Sequence, residues 1–191
     1  MSPMWHEREI TNEDAARRVV MPMRDCPSWE LQNVVVPTLL FGEPHIWVSD
    51  RTDYLGPGRP SRWAMVGGEF TLFIQGYWSL RFHGKTVATT STYPTRQSQL
   101  LHKYLLGQRI VSIETRQPSG YATLTFDLGA VVEVRPKPYD DTLWRISTKS
   151  DDRQFSSSND GVIKEGWWDG PEGPVHPRAH RMIKRGRLSK S

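Results

Sequence analysis

Apolar and polar side chains alternate along residues 105–148, and this alternation is the strongest signal in the chain. That spacing places every second side chain on one face of a β-strand. Four short stretches show it: Val111, Ile113 and Thr115; Ala122, Leu124 and Phe126; Ala130, Val132 and Val134; Trp144, Ile146 and Thr148. Turn-forming residues at 118–120 and 127–129 separate some of these stretches. The pattern predicts an antiparallel sheet that is covered on one side.

The same alternation begins earlier in the chain, at Glu69. Residues 70–74 and 78–82 read as further strands, and His83-Gly84 predicts a turn into another strand. Shorter strand candidates lie at 29–36, 38–41 and 45–48. Residues 50–62 contain two glycines and two prolines, and this composition predicts a loop.

Two segments show helical signals. The first is 11–21, where Thr11 is the expected N-cap and Pro22 the expected end. The second is 95–106, which has an apolar stripe at helical spacing, with Thr95 as the expected cap and Gly107 at the end. We expect the second helix to cover the apolar face of the sheet.

Together these elements predict the α+β class: a mainly antiparallel β-sheet with one or two short helices packed on one face. The ends of the chain are expected to be irregular. Four segments follow from this reading: 1–62, an N-terminal helix with irregular strands and a loop; 63–149, the core sheet with helix 95–106; 150–173, a Ser/Asp/Gly-rich loop with a Trp pair; 174–191, a basic tail.

Composition places the chain among small cytoplasmic proteins. Its 191 residues suit a single domain, and its eight tryptophans supply large side chains for a core. The only cysteine, Cys26, is expected to be a small, buried or half-buried hydrophobe. No apolar run is long enough to span a membrane, and the charged first residues do not resemble a secretory signal.

The positive charge of the chain is concentrated in the last eighteen residues. Outside this tail, 19 basic residues face 21 acidic ones, so the rest of the chain is nearly neutral. A basic tail is either a disordered solubilising end or a contact for an anionic polymer such as nucleic acid. Its basic residues are Arg178, Arg181, Lys184, Arg185, Arg187 and Lys190, with no acidic residue among them.

The familiar catalytic motifs are missing from the sequence. It contains no phosphate-binding glycine loop, no dinucleotide fingerprint, no H-E-x-x-H and no C-x-x-C. His176 and His180 have a helical metal-ligand spacing, but their neighbours are arginines, which repel a cation. The acidic pairs at 140–141 and 151–152 are more typical of solvated loops. We therefore predict no catalytic, cofactor-binding or metal-binding residue.

Trp167 and Trp168 stand between glycines in a polar segment. Either this segment folds back and the two rings fill the edge of the sheet, or they are an exposed anchor for a partner protein. Tryptophans are enriched among interface hot spots, so the second interpretation makes them candidate partner-binding residues.

Four segments form a pattern of core and turn positions: Leu106-Gly107-Gln108-Arg109-Ile110, Leu124-Thr125-Phe126-Asp127-Leu128-Gly129, Val132-Glu133-Val134 and Trp144-Arg145-Ile146. In this pattern, about residues 69–148 resemble a group of small bacterial proteins whose members are similar to immunity proteins and to accessory proteins encoded near toxin or defence genes. Because the pattern consists of core and turn positions, the resemblance implies a fold and no active site.

The resulting hypothesis is a non-catalytic, cytoplasmic protein-binding module, of the immunity or defence-accessory kind, with another protein as its partner. Two alternatives stay open. The chain is a nucleic-acid-associated protein that uses its basic tail, or it is a structural component of a larger assembly such as a phage particle.

Overall fold

The computed structural model describes residues 5–33, 36–50, 62–138, 141–149 and 153–168, and it describes only the backbone of residues 47–50, 62–65 and 168. The strands in these ranges are β1 Trp5–Ile10, β2 Ser28–Leu31, β3 Thr38–Phe41, β4 His45–Asp50, β5 Arg62–Gly67, β6 Phe70–Ile74, β7 Tyr77–Phe82, β8 Lys85–Thr89, β9 Ile110–Arg116, β10 Tyr121–Phe126, β11 Ala130–Arg135, β12 Thr142–Thr148, β13 Gln154–Ser158 and β14 Ile163–Trp168. Helix α1 is α-helical at Asn12–Ala15, π-helical at Ala16–Val20 and α-helical at Met21–Met23, and α2 is Pro94–Leu105.

Every strand pair in these ranges is antiparallel. Seven strands form one sheet in the order β1-β14-β13-β12-β6-β3-β2, which we call sheet I. Five strands form sheet II in the order β8-β7-β11-β10-β9, and β4 pairs with β5 as a separate hairpin. The predicted α+β class and its antiparallel sheet are confirmed, with the strands divided between two large sheets.

The two sheets share one hydrophobic core. It contains buried side chains from both sheets, and the indole of Trp144 in β12 donates a hydrogen bond to the Thr115 hydroxyl in β9 across a distance of 3.3 Å. The chain passes from sheet I to sheet II at Gly76, where an added Cβ would lie 2.4 Å from the Arg135 carbonyl oxygen. Only glycine permits that close approach, because any side chain would collide with backbone.

The helices close the gaps between the two sheets. Helix α2 contacts β8 and β2, which are edge strands of different sheets, and it buries Leu101 and Leu105 in the core. Helix α1 contacts β9 at the other edge of sheet II and buries Val19 and Met23. The apolar faces of the helices therefore complete the core at its open sides.

Several sequence expectations about helix ends need correction. Thr11 caps α1 as predicted, with its hydroxyl accepting a hydrogen bond from the Asp14 amide. Pro22 does not end that helix, because the helix continues through it to Met23 and Pro22 lies in its last turn. Thr95 is not the cap of α2, since Pro94 already occupies the first turn after Tyr93. Gly107, with φ of +83°, follows the helix as expected.

The expected loop at 150–173 is wrong over most of its described part. Residues 154–158 and 163–168 form β13 and β14, which pair with each other, with β12 and with β1. The serines and charged residues of this segment give no strand signal in the sequence. The strands form because they pair with partners that are far away in sequence. The N-terminal residues Trp5–Ile10, which were expected to be irregular, supply one of those partners.

Candidate interaction surfaces

The predicted Trp pair lies in β14, an internal strand of sheet I. Trp167 is opposite His6 of β1, and Trp168 is opposite Trp5. Trp167 is half-buried; its ring stacks on that of His6 with 5.7 Å between centroids, and the Arg8 guanidinium lies 5.5 Å from its centroid. Trp167 is therefore held within the sheet by β1.

A buried carboxylate lies beside Trp167 on the same face of β14. Glu165 has no exposed side-chain surface, and three arginines contact it. Arg8 donates from Nε and Nη2 at 2.7 and 2.5 Å, Arg18 from Nη1 at 2.9 Å, and Arg153 from Nη1 at 2.6 Å. We call Glu165, Arg8, Arg18 and Arg153 the arginine cluster. It joins β1, α1 and the residue before β13 around one residue of β14.

The arginines determine the ionisation of Glu165. Burial raises the pKa of its carboxyl group, but hydrogen bonds from Arg8 and Arg153, with the charge of Arg18, outweigh it and hold the pKa below its usual value. The carboxylate is therefore charged at neutral pH, and its four lone-pair positions are well supplied with donors.

A second surface lies on the outer face of sheet II. Tyrosine and arginine alternate there across four neighbouring strands, and all four side chains are exposed. We call this set the tyrosine–arginine row: Arg116 of β9, Tyr121 of β10, Arg135 of β11 and Tyr77 of β7. With strands about 4.8 Å apart, the row spans about 14 Å.

Strand register fixes the neighbours within this row. Arg116 is opposite Tyr121, Arg135 is opposite Tyr77, and the Arg135 guanidinium lies 5.5 Å from the centroid of the Tyr121 ring. Among the residues that the structure describes, neither Arg116 nor Arg135 forms an ion pair. Both charges are therefore available to a partner, and Arg135 is already positioned on an aromatic face.

The next residues along these strands carry an internal ion pair instead. Glu133 accepts hydrogen bonds from Arg81 at 3.1 Å and from the Ser79 hydroxyl at 3.3 Å. This acid is satisfied by Arg81 and Ser79, so it does not form an ion pair with the arginines of the adjacent row.

A polar cavity of about 460 Å³ opens between the end of β1, the start of α1, the end of β9 and the β13–β14 turn. Glu9 and Asp14 lie in its wall. Hydrogen bonds from Arg17 and Thr11 lower the pKa of Asp14, which keeps this carboxyl group ionised. The cavity therefore presents acidic groups, unlike the arginine cluster and the tyrosine–arginine row.

Cys26 matches its sequence expectation. It is half-buried and packs against the core, and its sulfur lies 3.8 Å from the Pro22 carbonyl oxygen. Burial, with the nearby charges of Glu69 and Asp25, raises the pKa of this thiol. A raised pKa lowers the thiolate fraction at neutral pH, so Cys26 is a poor nucleophile.

The remaining sequence candidates lie outside the described residues: the basic tail with Arg178, Arg181, Lys184, Arg185, Arg187 and Lys190, the histidine pair His176 and His180, and the acidic pair 151–152. Within the described ranges no three His, Cys, Asp or Glu residues are close enough together to hold a metal ion. No helix in the same ranges is both long and apolar enough to cross a membrane.

Comparisons with known proteins returned no relatives. No protein-family model matches the chain, and no curated protein or solved structure matches it.

Sequence reasoning missed both surfaces, for different reasons. The residues of the tyrosine–arginine row occupy polar positions between apolar ones in the sequence. That they are neighbours across four strands depends on the strand register, which the sequence does not show. The arginine cluster joins Arg8 and Arg18 to Glu165, more than 140 positions away in sequence, so no local pattern could reveal it.

Proposed function

We propose that this protein is a non-catalytic protein-binding module, and that it binds an acidic surface of another protein through the tyrosine–arginine row. The observation that carries the proposal is this exposed alternation of two tyrosines and two arginines on the outer face of an antiparallel sheet. The resemblance of residues 69–148 to bacterial immunity and defence-accessory proteins favours a role of that kind.

The chemistry of the row suits a protein interface. Tyr and Arg are among the residues that dominate binding energy at interfaces, because each buries a large area and also forms directed polar contacts. The Arg135 guanidinium already lies on the Tyr121 ring, so it loses less conformational freedom on binding than an unrestrained arginine would. Arg116 and Arg135 can each form a two-pronged hydrogen bond with a carboxylate, and this argues for an acidic partner.

The test compares capture of partner proteins by the tagged full chain and by the double variant Tyr77→Ala/Tyr121→Ala. Each hot-spot ring contributes about 2 kcal/mol, so loss of one should weaken a specific complex about 30-fold and loss of both roughly 700-fold. Both side chains are exposed, so the variant should retain its circular dichroism spectrum and unfold within a few degrees of the wild type.

Tyr93→Ala is the matched control, because Tyr93 is an exposed tyrosine before α2 and away from the row. The pair Arg116→Gln/Arg135→Gln should weaken the same complex, whereas exposed Arg96→Gln in α2 should not. A complex that survives all row substitutions, or that Tyr93→Ala weakens equally, would contradict the proposal.

The second candidate function is association with nucleic acid. It is favoured by the tail, where six basic residues occur among eighteen without an acidic one. Lys and Arg neutralise phosphates without reading sequence, so such binding would be non-specific and sensitive to salt.

A further inference from the structure

We propose that the outer face of sheet I binds a phosphate group at Arg145, where the hydroxyls of Ser147, Ser156 and Thr71 supply further donors. We call these four residues the Arg145 site. This inference goes beyond the proposed function and does not depend on it, since the tyrosine–arginine row lies on the outer face of sheet II.

Arg145 lies on the outer face of sheet I. Its neighbours in β12, Trp144 and Ile146, are both buried in the core, and successive side chains of a strand point to opposite faces. The residues opposite Arg145 in the adjacent strands are Ser156 of β13 and Phe73 of β6. The Arg145 side chain is half-buried, and its guanidinium lies 4.5 Å from the centroid of the Phe73 ring. Stacking on this ring restricts a long side chain before any ligand binds, so binding costs less entropy.

The charge of Arg145 is unpaired in the part of the chain that the structure describes. Within these ranges Arg145 forms neither an ion pair nor a hydrogen bond, and its Nε atom is buried. Burial lowers the pKa of the guanidinium, but an arginine remains protonated at neutral pH. A charge that is partly removed from water without a counter-ion lowers stability, and a bound anion would offset that cost.

Three hydroxyl groups lie near Arg145 on the same face. Ser156 is directly opposite it, Ser147 lies two residues further along β12, and Thr71 is opposite Ser147. Such opposite and diagonal positions in a sheet are about 5–8 Å apart. Among the described residues these three hydroxyls have no hydrogen-bond partner, so each can donate to a ligand.

This set of donors favours phosphate over carboxylate. A phosphate group directs its acceptor oxygens in several directions, so it can accept hydrogen bonds from the guanidinium and from hydroxyls of neighbouring strands at once. A carboxylate accepts in one plane, and the guanidinium alone can satisfy it. The phosphate can belong to a small ligand or to a nucleic-acid backbone, because the site would recognise the same group in both.

The experiment titrates the full chain with inorganic phosphate, and separately with a hexathymidylate oligonucleotide, at neutral pH and constant low ionic strength. Binding is followed by the Nε–Hε resonance of Arg145 and by the backbone amides of β6, β12 and β13. We expect saturable shifts of these resonances with at least one probe. Shifts with inorganic phosphate alone would identify a small phosphate ligand, and shifts with the oligonucleotide would identify a nucleic-acid backbone as the source.

Arg145→Gln should weaken this binding about tenfold, because it removes the only charge of the site. Arg116→Gln is the matched control: it removes the same charge from the outer face of sheet II and should leave the affinity unchanged. Ser156→Ala removes one neutral hydrogen bond and should weaken binding about fivefold.

Three results would overturn the proposal: no saturable shift of Arg145 with either probe, equal weakening by Arg145→Gln and Arg116→Gln, or equal affinity of the wild type for acetate and phosphate. If Arg145→Gln does not fold, Ser156→Ala decides instead, and an unchanged affinity of that variant would overturn the proposal.

Discussion

At the scale of single residues, Glu165 shows how the fold keeps a charge in its interior. Removing a carboxylate from water costs several kcal/mol, and this cost is offset only by close, well-aligned donors. Three arginines supply them here, on a strand whose neighbouring inward position, Ile163, lies in the apolar core. Removal of the carboxylate would therefore leave three guanidiniums without the anion that they share.

We predict that Glu165→Gln destabilises the protein at pH 7 by about 2 kcal/mol, less than for a fully buried pair because the arginines are partly exposed. The loss should be pH-dependent. The folded-state pKa lies below the usual value of 4.5, so this carboxylate stabilises the fold above that pH. Its contribution then disappears as the pH falls through the folded pKa, since the unfolded chain binds more protons there.

Urea unfolding from pH 3 to pH 7 measures this effect. The stability of the wild type should decline more steeply with acid than that of Glu165→Gln, and the two should converge at low pH. Glu7→Gln, which affects an exposed pair with Lys164, is the control and should change stability by less than about 1 kcal/mol. Parallel curves for wild type and Glu165→Gln would contradict the assignment.

At the scale of elements, α1 protects an edge of sheet II. The Asn12 side chain donates to the Thr115 carbonyl oxygen and accepts from the Thr115 amide, both at 2.9 Å, as a neighbouring strand would. Exposed strand edges invite pairing with other chains, and native proteins cover or interrupt them. The first turn of α1 therefore serves as a cover for β9 as well as a part of the core.

We predict that Asn12→Ala destabilises the fold by about 1–2 kcal/mol, because it leaves both backbone groups of Thr115 without their partner. Hydrogen exchange should show faster exchange of the Thr115 amide, more than elsewhere in β9. Glu13→Gln, an exposed change in the same turn, should alter stability by less than about 1 kcal/mol. Unchanged protection of Thr115 in Asn12→Ala would show that the side-chain bridge is not needed.

The same scale shows where sequence patterns succeed and fail. Alternation identified the inward rows of β10, β11 and β12 correctly, because their two faces differ strongly in polarity. It placed Val111 inward, whereas Val111 is exposed and Ile110 is buried. A register shift between Thr125 and Phe126 makes Ser112 and Ile110 the successive partners and leaves Val111 as the extra residue of a β-bulge. A bulge depends on the partner strand, so single-strand periodicity cannot show it.

At the scale of the whole molecule, the class of the fold followed from sequence but the arrangement of its sheets did not. Strands from residues 5–10, 28–41, 70–74 and 142–168 combine in sheet I, across the segments into which composition divided the chain. Local composition indicates turns and charged segments. Which sheet a strand joins is determined by its packing against strands that are distant in sequence. For the same reason the two candidate surfaces became visible only once the strands were ordered.

The basic tail gives the prediction for the whole chain. If the tail is the contact, a variant that ends at Pro174 should lose affinity for nucleic acid. For the full chain, six phosphate contacts give a slope of log affinity against log salt of about −5, and the variant should lose this salt dependence. Binding of single- and double-stranded oligonucleotides at several salt concentrations tests this. A truncated chain that binds as tightly as the full one would contradict a role for the tail in nucleic-acid binding.

The pairing of β1 with β14 has a consequence for the order of events during synthesis. More than 150 residues separate Ile10 from its partner Ile163. At about 5–20 residues per second, β1 is synthesised roughly 8–30 seconds before its partner. Sheet I, and with it the convergence of three arginines on one carboxylate, can be completed only after β14 has been made. A chain whose synthesis stops before β14 therefore cannot complete sheet I or the arginine cluster.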